Sequence, residues 1–97
     1  MDITFEEKNG RGRWHFTPEG ASDEAEMTFS RTNETLIMLD HTFVPTSVRG
    51  EGIGEKLAER AVKDARANGW KIVPVCPFFK AQAEEHNWDD VIPSNGG

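Results

Sequence analysis

Val44-Pro45-Thr46-Ser47-Val48-Arg49-Gly50-Glu51-Gly52-Ile53-Gly54 is the stretch on which the reading of this chain turns. Before it, Thr35 to Val44 is a nearly continuous apolar run: Leu36, Ile37, Met38, Leu39, Phe43 and Val44. Strands that read apolar on both faces are central and covered on both sides. The run therefore predicts such a strand, interrupted by Asp40, His41 and Thr42 and ended by Pro45-Thr46-Ser47. After it, Ile53, Leu57, Ala58, Ala61, Val62 and Ala65 recur at helical spacing. They predict a helix over Ile53 to Asn68, with Glu59 and Lys63 paired at i,i+4 and Asn68-Gly69 as its stop.

A glycine-rich link from a strand to a helix N-terminus has a definite chemistry. The first helical N–H groups have no partner inside the helix, and the helix dipole adds partial positive charge. Glycines let the backbone approach a ligand closely and take up conformations closed to other residues. The combination predicts a pyrophosphate cradle. Glu51 and Glu55 suit the dipole but weaken the positive field, so binding must rest on backbone donors with Arg49 and Lys56. A Walker A loop is excluded, because Gly54 is followed by Glu55-Lys56-Leu57 rather than Lys-Ser/Thr. A dinucleotide fingerprint is excluded too: the spacing is Gly-x-Gly-x-Gly, and the next strand ends Ile72-Val73-Pro74-Val75 with no acidic residue.

Outward from this centre the chain reads as short strands and one more helix. Ile3 to Lys8 alternates, Asn9-Gly10 supplies a two-residue hairpin turn, and Arg13 to Thr17 returns with Trp14 and Phe16 on one face. Ala25, Met27 and Phe29 alternate in a third strand, and Thr32-Asn33-Glu34 turns the chain. Trp70 to Val75 is a strand whose Pro74 cannot donate to a ladder, which predicts an edge or a splayed strand. Pro77 opens a helix over Phe78 to His86. The expected fold is α/β (α+β): a mixed, mostly antiparallel sheet of about five strands in the order β-β-β-β-α-β-α, the last strand parallel, with helices packed on the sheet.

The whole chain has 97 residues, 36% hydrophobic, with 11 Lys+Arg against 17 Asp+Glu and a formal net charge of −6. One domain over residues 1–92 is expected, with a mobile tail over 93–97. Six Phe and three Trp give it a modest core. One Cys and three His exclude a disulfide framework and argue against a metal site. The acidic balance argues against nucleic acid, and no apolar run approaches the ~20 residues that span a bilayer. The start Met-Asp-Ile-Thr-Phe-Glu-Glu does not read as a signal peptide, so a cytoplasmic, reduced protein is expected.

The pattern Arg-x-x-Gly-x-Gly, matched by Arg49, Gly52 and Gly54, resembles the acetyl-CoA pyrophosphate loop of the GNAT N-acetyltransferase superfamily. The longer string from His41-Thr42-Phe43-Val44-Pro45 to Gly54, followed by Pro74 to Phe78, is similar to a family of small GNAT-like proteins of about one hundred residues. The specific part of the likeness covers Asp40 to Phe79. It implies two splayed strands, one ending near Val44 and one near Cys76, with the pantetheine arm of acetyl-CoA between them. It implies that backbone groups of Phe43 and Val44 meet the pantetheine or the thioester carbonyl. It further implies that Gly50, Glu51, Gly52, Ile53 and Gly54 hold the pyrophosphate through their N–H groups, with Arg49 beside the phosphates. The activity implied is transfer of an acetyl group from CoA to an amine, the alternative being a CoA or acyl-CoA binding module that acts in a complex.

Acetyl transfer needs a neutral amine, a polarised carbonyl and a proton for the departing thiolate. GNAT enzymes often use a Tyr for that proton, and this chain has none. Cys76 could protonate the thiolate, carry the acetyl group itself, or be a small buried hydrophobe. His41 could act as a base toward the amine or toward Cys76, or be a core histidine bonded to backbone. His15 is expected to face solvent and His86 to be solvated or capping; Phe78 and Phe79 could line the pantetheine slot, with core packing the favoured role. Larger GNAT enzymes carry N-terminal helices that shape the acceptor site. Here the chain passes from one hairpin to the next, which suits a peptide or exposed lysine as acceptor, or a site completed by another chain. A monomer or weak dimer is expected.

Overall fold

The computed structural model describes residues 2–93. The tail expected over 93–97 lies, apart from Pro93, outside the described residues. The order of elements is β1 (Thr4–Lys8), β2 (Arg11–Phe16), β3 (Ala25–Asn33), β4 (Leu36–Phe43), α1 (Ile53–Asn68), β5 (Lys71–Pro74) and α2 (Pro77–Glu85). Single 3₁₀ turns lie at Thr46–Val48 and Asp89–Val91. The five strands form one sheet in the order β1-β2-β3-β4-β5. β1 to β4 run antiparallel to their neighbours, and β5 lies parallel to β4 at the edge. This is the expected α/β arrangement.

The β1–β2 turn follows from its two residues. Asn9 and Gly10 both take positive φ, the pair of conformations that matches the twist of a hairpin, and Lys8 pairs with Arg11 across it. α1 begins and ends where its periodicity predicts. Its apolar face, Ile53, Leu57, Ala58, Ala61, Val62 and Ala65, is buried against β2 and β3. The i,i+4 ion pair found on α1 is Arg60 with Asp64 at 3.0 Å, not Glu59 with Lys63. Asp64 is drawn there because it also accepts the Trp14 Nε1–H at 2.8 Å, and Arg60 donates to the Ile3 carbonyl at 3.0 Å.

Among the described residues only one face of the sheet is covered. Trp14, Met27, Phe29, Ile37, Leu39 and Ile72 join α1, Phe79 and Ala83 of α2, Trp88 and Val91 in a single buried cluster. The opposite face carries Arg13, Glu26, Thr28, Met38 and Asp40, and Met38 is 38% exposed. β4 is therefore interior in the sheet but not buried on both faces, contrary to the expectation from its apolar run. Within β4 the phase of the strand slips once: Phe29 pairs with Leu39 and Thr28 with His41, leaving Asp40 as a bulge. Beyond it, Thr42 lies on the covered face and His41 and Phe43 on the bare one.

Candidate functional site

The link from β4 to α1 is fixed from below and bare above. Pro45 and Val48 are buried, which anchors the 3₁₀ turn to the core. Arg49 donates from Nε to the Val44 carbonyl at 3.3 Å, closing the loop on itself. Gly50 and Gly52 stand at φ 87° and 79°, in the left-handed region. Gly52 is the N-cap of α1, and its carbonyl accepts the Lys56 N–H at 3.1 Å. Among the described residues no side chain caps this end of the helix. The N–H groups of Ile53, Gly54 and Glu55 thus have no intrahelical partner and no capping oxygen.

These groups border a cleft of about 350 Å³. Thr42, Val44 and Phe78 line it together with Arg49, Gly50, Gly52, Ile53, Gly54 and Glu55. Gly54 serves a different need from the other two glycines. A Cβ on it would stand 2.8 Å from Phe78 Cζ, so its absence lets the Phe78 ring close over the helix start. Phe78 is 36% exposed and forms a cleft wall, unlike Phe79, which is fully buried as expected. Glu51 does not line the cleft. It borders a neighbouring depression of about 680 Å³ with Asp2, Glu19, Glu24 and His15. Another hollow of about 620 Å³ lies among Glu6, Glu7, Lys8, Arg11 and Arg13. Both are larger than the cleft, but the first, though it touches Ile53 at the helix start, is lined by four carboxylates, and the second lies away from any helix N-terminus.

β4 and β5 part where the splay is expected. Their last pair is Leu39 with Pro74, while β4 continues to Phe43. Around Pro74 the chain makes a tight turn, Val75 N–H donating to the Val73 carbonyl at 3.0 Å. Cys76 N–H then returns to the Leu39 carbonyl at 2.8 Å, and Cys76 becomes the N-cap of α2. Its side chain is buried, at 4% exposure, with Sγ 3.4 Å from Thr42 Oγ1.

The candidate residues divide accordingly. Val44, Arg49, Gly50, Gly52, Ile53 and Gly54 come together at the cleft. Phe43 contributes the end of β4, with its ring on the bare face at 39% exposure. His41 is exposed on that same bare face, opposite Thr28, and is not brought to Cys76. Lys56 does not line the cleft. His15 does not face solvent as expected: its side chain is 13% exposed, and Nδ1 lies 2.6 Å from Glu24 Oε2. His86 is the C-cap of α2 and stacks on Trp88 at 4.9 Å. The sequence alone favours core packing over a slot-lining role for Phe78, which lines the cleft, and does not single out Thr42. The place of Phe78 rests on a tertiary contact with Gly54, and that of Thr42 on the Asp40 bulge, which leaves no mark in the sequence.

A mixed sheet split beside a glycine loop at a helix start defines the architecture of the acyl-thioester-dependent N-acetyltransferases. The GCN5-related N-acetyl-transferase family profile matches residues 13–91, and the chain belongs to that family. A solved relative in fold is a GCN5-like candidate N-acetyltransferase from Staphylococcus aureus, determined in solution by NMR. It is 28% identical, with a TM-score of 0.66 over 95% of this chain and 89% of that one. No curated protein matches the chain. Among the described residues no helix is long and apolar enough to cross a membrane, and no cluster of metal-ligating side chains is present.

Proposed function

We propose that the protein transfers an acetyl group from acetyl-CoA to an amine. The observation that carries this reading is the uncapped start of α1, where free N–H groups and two left-handed glycines border a cleft that runs to the parted end of β4. The groups fit a diphosphate: N–H donors at a helix N-terminus bind anions, and an open space above Gly50 and Gly52 leaves room for it. Ile53, Gly54 and Glu55 supply the donors and Arg49 the charge. The parted edge of β4, from Thr42 to Val44, takes the pantetheine amides. The bound thioester supplies the acetyl group, and Cys76, buried just behind the cleft, is the source of the proton that its sulfur needs on leaving.

An NMR titration with acetyl-CoA tests the site. The largest shifts are expected at Phe43, Val44 and Gly50 to Gly54, with smaller ones at Cys76. Shifts confined to the β1–β2 and β3 strands would overturn it. The chemistry is tested by Cys76→Ala, expected to bind acetyl-CoA as the parent does and to lose on the order of a hundredfold or more in transfer rate.

A second reading is favoured by one observation: the chain lacks Tyr, and its one thiol sits behind the cleft wall rather than in it. On that reading the protein binds CoA or acyl-CoA for a partner and transfers nothing. Wild-type protein that binds acetyl-CoA yet acetylates no amine, from small polyamines to lysine peptides, would decide for it.

A further inference from the structure

Cys76 cannot meet a ligand directly, because its side chain is buried and no atom of it lines the cleft. Thr42 stands between the two. It lies on the covered face of β4, borders the cleft, and holds its hydroxyl oxygen 3.4 Å from the Cys76 sulfur. We propose that Thr42 is the group that hands the Cys76 proton into the cleft, an inference that rests on the acetyl-transfer reading above.

The direction of the hydrogen bond follows from satisfying both protons. If Thr42 donated to the sulfur, a weak acceptor, the buried S–H would be left with no acceptor of its own. If the thiol donates to Oγ1, the Thr42 hydroxyl proton is free to point into the cleft, where solvent or ligand can accept it. The second arrangement leaves nothing buried and unpaired. Thr42 is half-buried and β-branched, so its χ1 is restricted on the strand and its hydroxyl is held in place.

The proton transfers balance. The amine nitrogen bonds to the thioester carbonyl carbon, and the carbon–sulfur bond breaks with its electron pair on sulfur. Thr42 gives its hydroxyl proton to that sulfur and takes the thiol proton of Cys76. The Cys76 thiolate regains its proton by the same route reversed: the proton lost from the amine nitrogen as it becomes an amide enters through the cleft to the Thr42 hydroxyl, which passes its own proton back to the sulfur. No electron acceptor is required. The arrangement explains how a chain without Tyr can still bring an O–H to the leaving group. It also gives the Asp40 bulge a purpose: without that one-residue slip, Thr42 would lie on the bare face and His41 on the covered one.

Two nearly isosteric variants test the inference. Thr42→Val keeps the shape and removes the hydroxyl, whereas Thr42→Ser keeps the hydroxyl. Because the chain has a single cysteine, its infrared S–H stretch is one assignable band, readable in the free protein without any ligand. Thr42→Val is expected to move that band to higher wavenumber and Thr42→Ser to return it. Acetyl-CoA affinity, by calorimetry, should change little in either. Transfer should fall on the order of a hundredfold in Thr42→Val, and Thr42→Ser should recover the greater part of it. An unmoved band in Thr42→Val overturns the thiol–hydroxyl link. A moved band with undiminished transfer overturns the proton path, as does acetyl found on Cys76 by mass spectrometry of a quenched turnover. Failure of the wild type to bind acetyl-CoA overturns the reading beneath, and the infrared result stands apart from it.

Discussion

On the β1–β3 side of the sheet, Phe5, Trp14, Phe29 and Trp70 pack ring against ring, with centroids 5.0 to 6.5 Å apart, and Arg31 lies over Trp70 at 4.4 Å. On the β4–β5 side the two strands part after Leu39, and Phe43, Val75 and Phe78 remain exposed. One half spends its large side chains on packing. The other leaves apolar groups and backbone donors without partners, which costs stability and creates a place to bind. A domain this small has one core to stabilise both. The difference teaches that the aromatic half holds the open half in shape, so damage to the two halves should be read by different measurements.

The largest expected effect sharpens this division. Trp14→Ala removes a fully buried indole and the hydrogen bond to Asp64, and should lower unfolding free energy by about 3–5 kcal/mol in a urea titration. Its acetyl-CoA affinity, measured on the folded fraction, should stay near the parent's. A loss below about 1 kcal/mol would show that the aromatic half is not what holds the fold.

Next in size is Gly52→Glu. Nothing lies within 4 Å of a Cβ at Gly52, so the variant meets no clash and should still fold at the cost of the strain of a positive φ, while a carboxylate set among the N–H donors repels a diphosphate. Acetyl-CoA affinity should fall at least about a hundredfold, or nearly 3 kcal/mol. Unaltered affinity in the folded variant counts directly against the cradle.

A finer comparison uses the two ends of one helix. Gly52 and Gly69 cap α1 at φ 79° and 74°, and both have open space where a Cβ would go. Changing either to Ala should cost about 1–2 kcal/mol of stability for the left-handed conformation alone. Only Gly52→Ala should also weaken acetyl-CoA binding. If the two variants bind alike, the open half is not distinguished from an ordinary helix end.

How much of this was legible in the sequence depends on what each element needed. The ends of α1, the Asn9-Gly10 turn and the glycine loop are local matters: spacing, φ preference and the absence of a cap are written in adjacent residues. The bare face of the sheet was not legible, because Met38 and Phe43 are apolar whether or not a second layer covers them. Nor was the pairing of Asp64 with Arg60, which Trp14 decides from 50 residues away. The bulge at Asp40 had the largest consequence. A slip of one residue reverses which side chains face the cleft, putting Thr42 beside Cys76 and turning His41 away, and either phase fits the same string of residues.

The smallest expected effect belongs to the charges on the aromatic half. Arg13 bonds Glu6 at 2.9 Å and both Glu24 and Glu26 at 3.0 Å. The Arg13 hydrogen bond holds the Glu6 carboxyl below its ordinary value of 4.5, and His15, then Arg13, do the same for Glu24. A carboxylate whose folded value is lowered contributes stability that is complete above its unfolded value and is lost as pH falls through the folded one. The contribution of this network should therefore be intact at neutral pH and disappear below the ordinary carboxylate range. Both carboxylates are open to solvent, so it is modest and weakened by salt. Arg13→Ala should flatten the acid limb of the stability curve without altering acetyl-CoA affinity. An acid limb as steep as the parent's would mean that these ion pairs add nothing, and that the aromatic half stands on its packing alone.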